Sequence, residues 1–573
     1  MPETKKCQNC KNDFTIENED FEFYEKMKVP APTWCPDCRV WRRMGFYNQT
    51  KLYKRKCDAT GKMIFSIISE DYPGKVYDTK YWWSDNWDAV DYARDYDFSK
   101  PFFRQIKELF LEVPRFSRSV VNLVNSDYCA GASDLKDCYL VFNSGFSEGC
   151  LYSVKLSNAK DSVDCYNVVK SELCSNDFMV KNSYKVHYSQ HCDNCRDVYF
   201  SRNLKNCNNC LACVNLRNKS YCIFNKQYSE KEYWEKIEEF NLGSYTTKKE
   251  FDKQLKNFFL KYPVKYLIGI KNQNVSGNYI NVSKNVKKSD HVAEAEDCKY
   301  CYSYAENVKD SHDCTLFGDG AELMYESAVC GLGVANLKFC NHCYTSDNNL
   351  EYCAECMSCS DCFACVGLRK KQYHILNKPY PKEEYFKMVE KIKKHMNEMP
   401  YTDKQGNEYK YGEFFPPELS PFAYNETIVQ EYFPLTKEEA KEQGYKWKNP
   451  EKKDYQTTIE AKDLPDNIKD VDDSILKEVV GCKTKSEDRE KTGCTTAFKI
   501  IPKELEFYKK MNIPLPRYCP NCRHHERLKN RNPLKLYKRT CMKEGCDIEF
   551  ETTYAPERKE IVYCEKCYNE EVG

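Results

Sequence analysis

The stretch Cys207–Ile237 reads CNNCLACVNLRNKSYCIFNKQYSEKEYWEKI, and Cys359–Val389 answers it, 152 positions later, with CSDCFACVGLRKKQYHILNKPYPKEEYFKMV. Both segments step cysteine by three and then enter an amphipathic helical pattern, expected over residues 230–240 and 382–396. Ser229 and Glu232 have capping-box spacing for the first of these helices. Outward from these two stretches, one short phrase recurs from about Asn122 to Asn225 and again from Asn281 to Asn377. It is a small or polar residue, Lys, then Asp, Asn or Ser, then Cys or Tyr, as in LKDCYL at Leu135 and NLKNC at Asn203. The recurrences cluster near 21 residues apart, as from Leu135 to Leu156 and Asn182 to Asn203. Such a period, with short β-type runs and polar turns, predicts a parallel β-solenoid in two related halves. One coil cannot bury its inner face alone, so stacked Asn, Ser and Cys should form ladders. The closing helices are expected to cap the solenoid ends and block edge pairing.

A second duplication frames the first. KLYKRKC at Lys51–Cys57 recurs as KLYKRTC at Lys535–Cys541, and Cys10, Tyr24, Cys35, Cys38 and Cys57 meet Cys494, Tyr508, Cys519, Cys522 and Cys541 at one offset of 484. Cys7-x2-Cys10 followed by Cys35-x2-Cys38 is two knuckles for one tetrahedral Zn²⁺, which takes four thiolates at about 2.3 Å. The C-terminal copy offers Cys494, Cys519 and Cys522, with Cys482 as fourth ligand across a polar insertion. A further quartet follows in Cys541, Cys546, Cys564 and Cys567. The N-terminal copy keeps only Cys57 of that quartet, with Asp78 and Tyr81 at the positions of Cys564 and Cys567. It is expected to lack metal and to be held by Tyr81, Trp82 and Trp83. The expectation is about three structural zinc ions at closed sites without a free coordination position.

Residues 39–56 carry seven Lys or Arg and no carboxylate. Arg39, Arg42, Arg43, Lys54 and Arg55, with Arg531, Lys535, Lys538 and Arg539 in the second copy, are the candidate nucleic-acid contacts, because cationic ribbons with interleaved aromatics can meet phosphates and stack bases. The other reading is a solvated hairpin face. The solenoid cysteines Cys207, Cys210, Cys213, Cys353, Cys356, Cys359, Cys362 and Cys365 have two readings as well: a metal or redox cluster, or small apolar filling of narrow coils.

The chain has 573 residues, 35 Cys and a net charge of +1. The N-terminal residues show no apolar signal segment and no long apolar run follows, so the thiols are read as those of a cytoplasmic, metal-binding protein with no membrane association. The expected divisions are an N-terminal ribbon module at 1–100, a first solenoid half with an N-terminal cap helix at 101–227, and a helical insertion at 228–275. A second solenoid half at 276–380, a cap helix at 381–400, a Pro-rich and acidic connector at 401–480 and a double ribbon module at 481–573 complete the chain. The apolar stripe Pro101–Val113 is expected to cap the first coil, and the acidic stretch from Lys452 to Val480 to fold back on the basic ribbons. No H-E-x-x-H or P-loop motif is present.

The phrases KCQNCKNDFTIENEDFEFYEKM, CPDCRVWRR, LYKRKCD, CVNLRNKSYCIFNKQYSEKEY and GEFFPPELSPFAYNETIVQEYFPLT resemble a family of uncharacterised cysteine-rich zinc-ribbon and β-solenoid proteins of uncultivated, small-genome bacteria. The resemblance implies the fold and no activity. Members sometimes carry an acyl-CoA-transferase label, which no residue here supports, and Thr60, Asp78 and Tyr81 depart from their usual paired knuckles. The function read from the residues is a non-catalytic zinc-binding scaffold or interaction protein, contacting nucleic acid, a ribonucleoprotein or protein. The alternatives are a redox or metal-handling protein, and a solenoid enzyme acting on a polymer.

Overall fold

The computed structural model describes residues 1–316, 318–449 and 455–573, without the side chain of Tyr304. The fold is mainly β, with two parallel β-solenoids, helices at their ends, and thiol clusters near both termini. Their coils are shorter than the sequence spacing suggested. Val154 pairs with Tyr166, Tyr166 with Phe178, and Val198 with Cys210, so one coil of the first solenoid takes twelve residues. In the second solenoid Glu296, Lys309, Glu322, Ala335 and Asn348 pair in succession at thirteen, and Asn348, Ser360 and Gln372 at twelve.

The underlying unit is a triplet. Every third residue is left-handed, as in Asn203, Asn206, Asn209, Ala212, Asn215 and Asn218 with φ between 49° and 57°. The residue after each of these points inward, as Cys207, Cys210 and Cys213 do. Four triplets close a coil of twelve, and a coil of thirteen carries one four-residue step, as from Ser303 to Asn307 and from His342 to Ser346. A period of 21 is seven triplets, so the repeated phrase fell into register with itself without completing a whole number of turns.

The left-handed corner explains the Asn and Asp richness. An L residue pays roughly 1–2 kcal/mol there, while Asn and Asp tolerate it by local hydrogen bonding. The corner amides also stack, with Asn194 Nδ2 donating to Asn206 Oδ1 and Asn206 Nδ2 to Asn218 Oδ1, each at 2.9 Å. Asn206→Ala is therefore expected to destabilise by about 1–2 kcal/mol and Asn206→Gly by less, as measured by denaturant unfolding.

The lumen of so tight a coil admits only small side chains. Cys213 Sγ donates to the carbonyl of Leu211 at 3.3 Å and faces that of Cys222 at 3.4 Å, and the other core thiols repeat this pattern. Ser153 Oγ donates to Leu151 O at 2.8 Å and accepts the N–H of Cys165 at 2.9 Å. Asp347 stands in for such a serine, accepting the Cys359 N–H at 2.7 Å, and burial pushes its carboxyl up to about 7.

No backbone ladder joins the two solenoids among the described residues, so they are separate bodies. They meet through side chains, including Lys155 Nζ on Ser303 Oγ at 2.8 Å and His191 stacked on Tyr279. Helices Glu230–Glu239 and Lys382–Glu398 close the two ends, with Tyr233 and Tyr385 buried. Ser229 and Glu232 form the expected capping box. The helix Phe102–Glu112 does form on the predicted apolar stripe, but it packs on the second solenoid rather than the first. Phe102 meets Tyr352 and Phe363, and Arg115, just beyond the helix, pairs with Glu355 at 2.5 Å. Residues 452–454 of the expected acidic connector lie outside the described residues. The rest of it packs on the C-terminal ribbon module through Leu464, Ile468, Val471 and Ile475, with Asp473 paired to Lys509 at 2.9 Å.

Candidate metal centres

Three groups of four cysteines converge: Cys7, Cys10, Cys35 and Cys38; Cys482, Cys494, Cys519 and Cys522; and Cys541, Cys546, Cys564 and Cys567. Within each, all four sulfurs lie within 4.8 Å of one another. Measured pairs are 3.7 Å for Cys10–Cys35, 3.9 Å for Cys482–Cys522 and 4.0 Å for Cys546–Cys564. A tetrahedral ion with metal–sulfur bonds of about 2.3 Å separates its sulfurs by roughly 3.8 Å, so the quartets fit a four-coordinate ion without rearrangement.

Local structure builds the quartets in one way. Each ends on a knuckle whose first cysteine caps a helix: Cys35 before Pro36–Met44, Cys519 before Pro520–Leu528, and Cys564 before Glu565–Val572. The knuckle N–H groups point at sulfur, from Cys35 to Cys7 Sγ at 3.2 Å, from Cys519 to Cys482 Sγ at 3.2 Å, and from Cys564 to Cys541 Sγ at 3.3 Å. Such donors favour thiolate over thiol. Hydrogen bonds from the Cys35 and Cys38 thiols also hold Cys7 low, and those from Cys482 and Cys494 do the same for Cys519.

The fourth position keeps this geometry without the ligands. The Asp78 N–H donates to Cys57 Sγ at 3.2 Å, and Asp78 caps a short helix, Thr79–Trp83. Its carboxylate accepts the Lys80 N–H instead of turning to the sulfur. Trp82 is fully buried against Trp87 and Phe116.

The basic residues behave differently from the sequence expectation. Arg39, Arg42 and Arg43 on the helix Pro36–Met44 are fully buried, so they cannot meet a phosphate backbone. Arg39 Nη2 bonds Asp313 at 2.8 Å, Arg42 bonds Glu326 and Glu413 at 2.9 Å each, and Arg43 spans Asp313 and Glu326 at 3.1 Å. Burial would raise Asp313, but Arg39 and Arg43 hold it below the ordinary carboxylate range. Arg55 is buried on Ser69 O and Asp58, and Arg531 lies over the Tyr432 ring while donating to Glu431 O. Arg539 is half-buried and donates to Ala555 O. Only Lys54, Lys535 and Lys538 of the proposed contacts are exposed. The opposed reading, hairpin aromatics as local packing, accounts for Lys54 over Phe65 and Lys535 over Tyr537.

The arginine anchors cross between the halves of the chain. The N-terminal ribbon helix docks on Asp313 and Glu326 of the second solenoid. The C-terminal ribbon helix docks on the first, where Arg523 and Arg527 bond Asp164 at 2.6 and 2.9 Å. Arg39 and Arg43 align with Arg523 and Arg527 at the offset of 484, and Asp164 and Asp313 hold the same coil position once the thirteen-residue coils are allowed for. The hairpins following the ribbons reach the other way. Ser66 Oγ donates to Ser117 O beside the first solenoid's start, and Thr552 Oγ1 to Tyr266 O beside the second's. The chain is thus an intramolecular pseudo-dimer whose cysteine knuckles sit at exchanged positions. The acceptors Asp164, Asp313, Glu326 and Glu413, with Glu504 taking Arg523 at 3.0 Å, escaped the sequence reading because they sit among many similar Asp and Glu.

The solenoid cysteines Cys207, Cys210, Cys213, Cys353, Cys356, Cys359, Cys362 and Cys365 line the coil interiors. Among the described residues they join no group whose ligand atoms converge as the quartets do. Burial pushes Cys356 up to about 11 and holds Cys165 and Cys174 well above the ordinary thiol range. The hydrogen bond with the Cys210 thiol instead draws Cys207 down to about 6, and all eight side chains are buried in the narrow lumen.

No family model matches the chain, and no curated protein does. Among solved structures, a Desulfovibrio desulfuricans G20 protein provisionally described as an acetyltransferase is similar at 11% identity and a TM-score of 0.11, over 39% of this chain and 64% of that one, less than two thirds of its length. That likeness carries no functional argument. Among the described residues, no helix is long and apolar enough to cross a membrane.

Proposed function

We propose that the protein is a zinc-clamped scaffold whose three metal ions fix the cross-docking of two solenoids rather than perform chemistry. The observation that carries this reading is the position of each docking arginine relative to its quartet. Arg39 and Arg43 follow Cys38 on one helix, and Arg523 and Arg527 follow Cys522 on its counterpart. Zn²⁺ suits four thiolates, and a filled tetrahedron leaves no position for water or substrate. The residues that hold the ions would be the three quartets, and the ion supplies only charge and geometry there. Of the nine cationic side chains that a nucleic-acid reading names, Arg39, Arg42, Arg43 and Arg55 are instead paired with carboxylates of the chain itself. Elemental analysis of the purified chain should find three zinc ions per molecule. A metal-free protein that melts at the same temperature with and without chelator would overturn the reading.

A further inference from the structure

One outward column of each solenoid alternates in charge. Val124, Lys136, Glu148, Lys160, Glu172 and Tyr184 follow one another by parallel backbone pairing, one residue per coil, and the column runs on through Arg196, whose guanidinium lies over the Tyr184 ring, Asn208 and Ser220. In the second solenoid Gln273, Lys284, Glu296, Lys309, Glu322 and Ala335 do the same. Neighbouring rungs stand about 4.8 Å apart. Lys136 and Lys160 are exposed, and Glu148 and Glu172 partly so. Lys136 bonds Glu148 at 2.7 Å, but both side chains remain about half exposed, and such surface pairs hold their charges loosely. Lys160 and Glu172 make no ion pair with any other described residue.

The run of four alternating charges from Lys136 to Glu172 is its own complement when turned end for end. Laid antiparallel on a copy of itself, Lys136 meets Glu172, Glu148 meets Lys160, and each pair occurs twice. The same rotation brings Val124, 54% exposed, onto Tyr184, 38% exposed, so the apolar residues that flank the run match as well. Phe146, two residues before Glu148 and 64% exposed, adds apolar surface beside the centre of the column. We propose that a second copy of this chain docks on the first solenoid through this column, as an isologous two-fold dimer. The second solenoid has the charges but flanks them with Gln273 and Ala335, and so lacks the matched apolar pair. Six rungs make a small interface, so the dimer is weak and concentration-dependent. Exposed charges are screened by salt, so it is also strongest at low ionic strength.

Sedimentation of the full, metal-loaded chain across a concentration series tests this. At low salt the mass should rise toward twice 67.6 kDa, and high salt should return it to the monomer. Lys160→Glu sets two carboxylates face to face, the new one opposite the partner copy's Glu148, at both symmetry-related contacts, and should weaken dimerisation by about a hundredfold. Adding Glu148→Lys to it restores both cross-pairs with their signs exchanged. Within each chain the double variant still leaves a like charge next to Lys136 and another next to Glu172, so recovery of the dimer cannot come from intrachain pairing. Lys309→Glu on the second solenoid should leave the dimer unchanged. A chain that stays monomeric at low salt, a dimer indifferent to Lys160→Glu, or a double variant that fails to recover would each overturn the proposal. Circular-dichroism melts of every variant separate lost association from lost folding.

Discussion

Cys38→Ser is expected to loosen the second solenoid, not the first. The substitution removes one ligand from the N-terminal quartet, and with it the fixed start of the helix Pro36–Met44. A structural zinc site in a small module supplies on the order of 10 kcal/mol of binding free energy, as much as the whole net stability of a typical domain. Without it, three arginines have no fixed helix to hold them against Asp313, Glu326 and Glu413. Hydrogen exchange should accelerate on the coils around Asp313 and Glu326 while those around Asp164 keep their protection. Cys522→Ser should give the reverse, exposing the coils around Asp164 through loss of Arg523 and Arg527. Deprotection confined to the solenoid nearer in sequence to each mutated ribbon would contradict the crossed docking.

The arginine anchors should themselves be costly to remove. Arg39→Met leaves the fully buried Asp313 with Arg43 as its remaining cation, and breaking such a pair from one side typically costs about 3–5 kcal/mol. Pairing it with Asp313→Asn should recover part of the loss, since removing both charges also removes the desolvation penalty. Thermal or denaturant melts of the single and double variants check both statements. Lys54→Ala and Lys538→Ala, exposed on the hairpins, should change stability by less than about 0.5 kcal/mol. The contrast arises because the same residue type on the same basic stretch sits in water in one case and in the interior in the other.

Much of this architecture was legible in the sequence because it rests on local chemistry and on repetition. The quartet Cys7, Cys10, Cys35 and Cys38 follows from knuckle spacing, since ligands that close together in the chain must converge if they bind one ion. Cys482, displaced by its insertion, still joins Cys494, Cys519 and Cys522, because the tetrahedron fixes the end point and not the path. The solenoid was readable from its phrase, and the cysteine step of three was itself the coil's unit. The length of the coil was not readable, because a triplet corner leaves twelve and twenty-one equally open until strands pair, and the four-residue step that makes a coil of thirteen has no local mark.

Tertiary structure alone decided where the cations go. Arg39, Arg42 and Arg43 look in sequence like Lys54, a positive charge beside an aromatic ring. Burial of an arginine depends on whether a carboxylate waits in the opposing surface, and Asp313 is separated from Arg39 by 274 positions. No local rule carries that distance. The sequence by itself determined the cysteine knuckles, the ladders and the two duplications, through spacing and side-chain size. Only the folded chain determined that each ribbon clamps the other half's solenoid, because that choice lies in long-range charge complementarity between two surfaces built from nearly the same repeat.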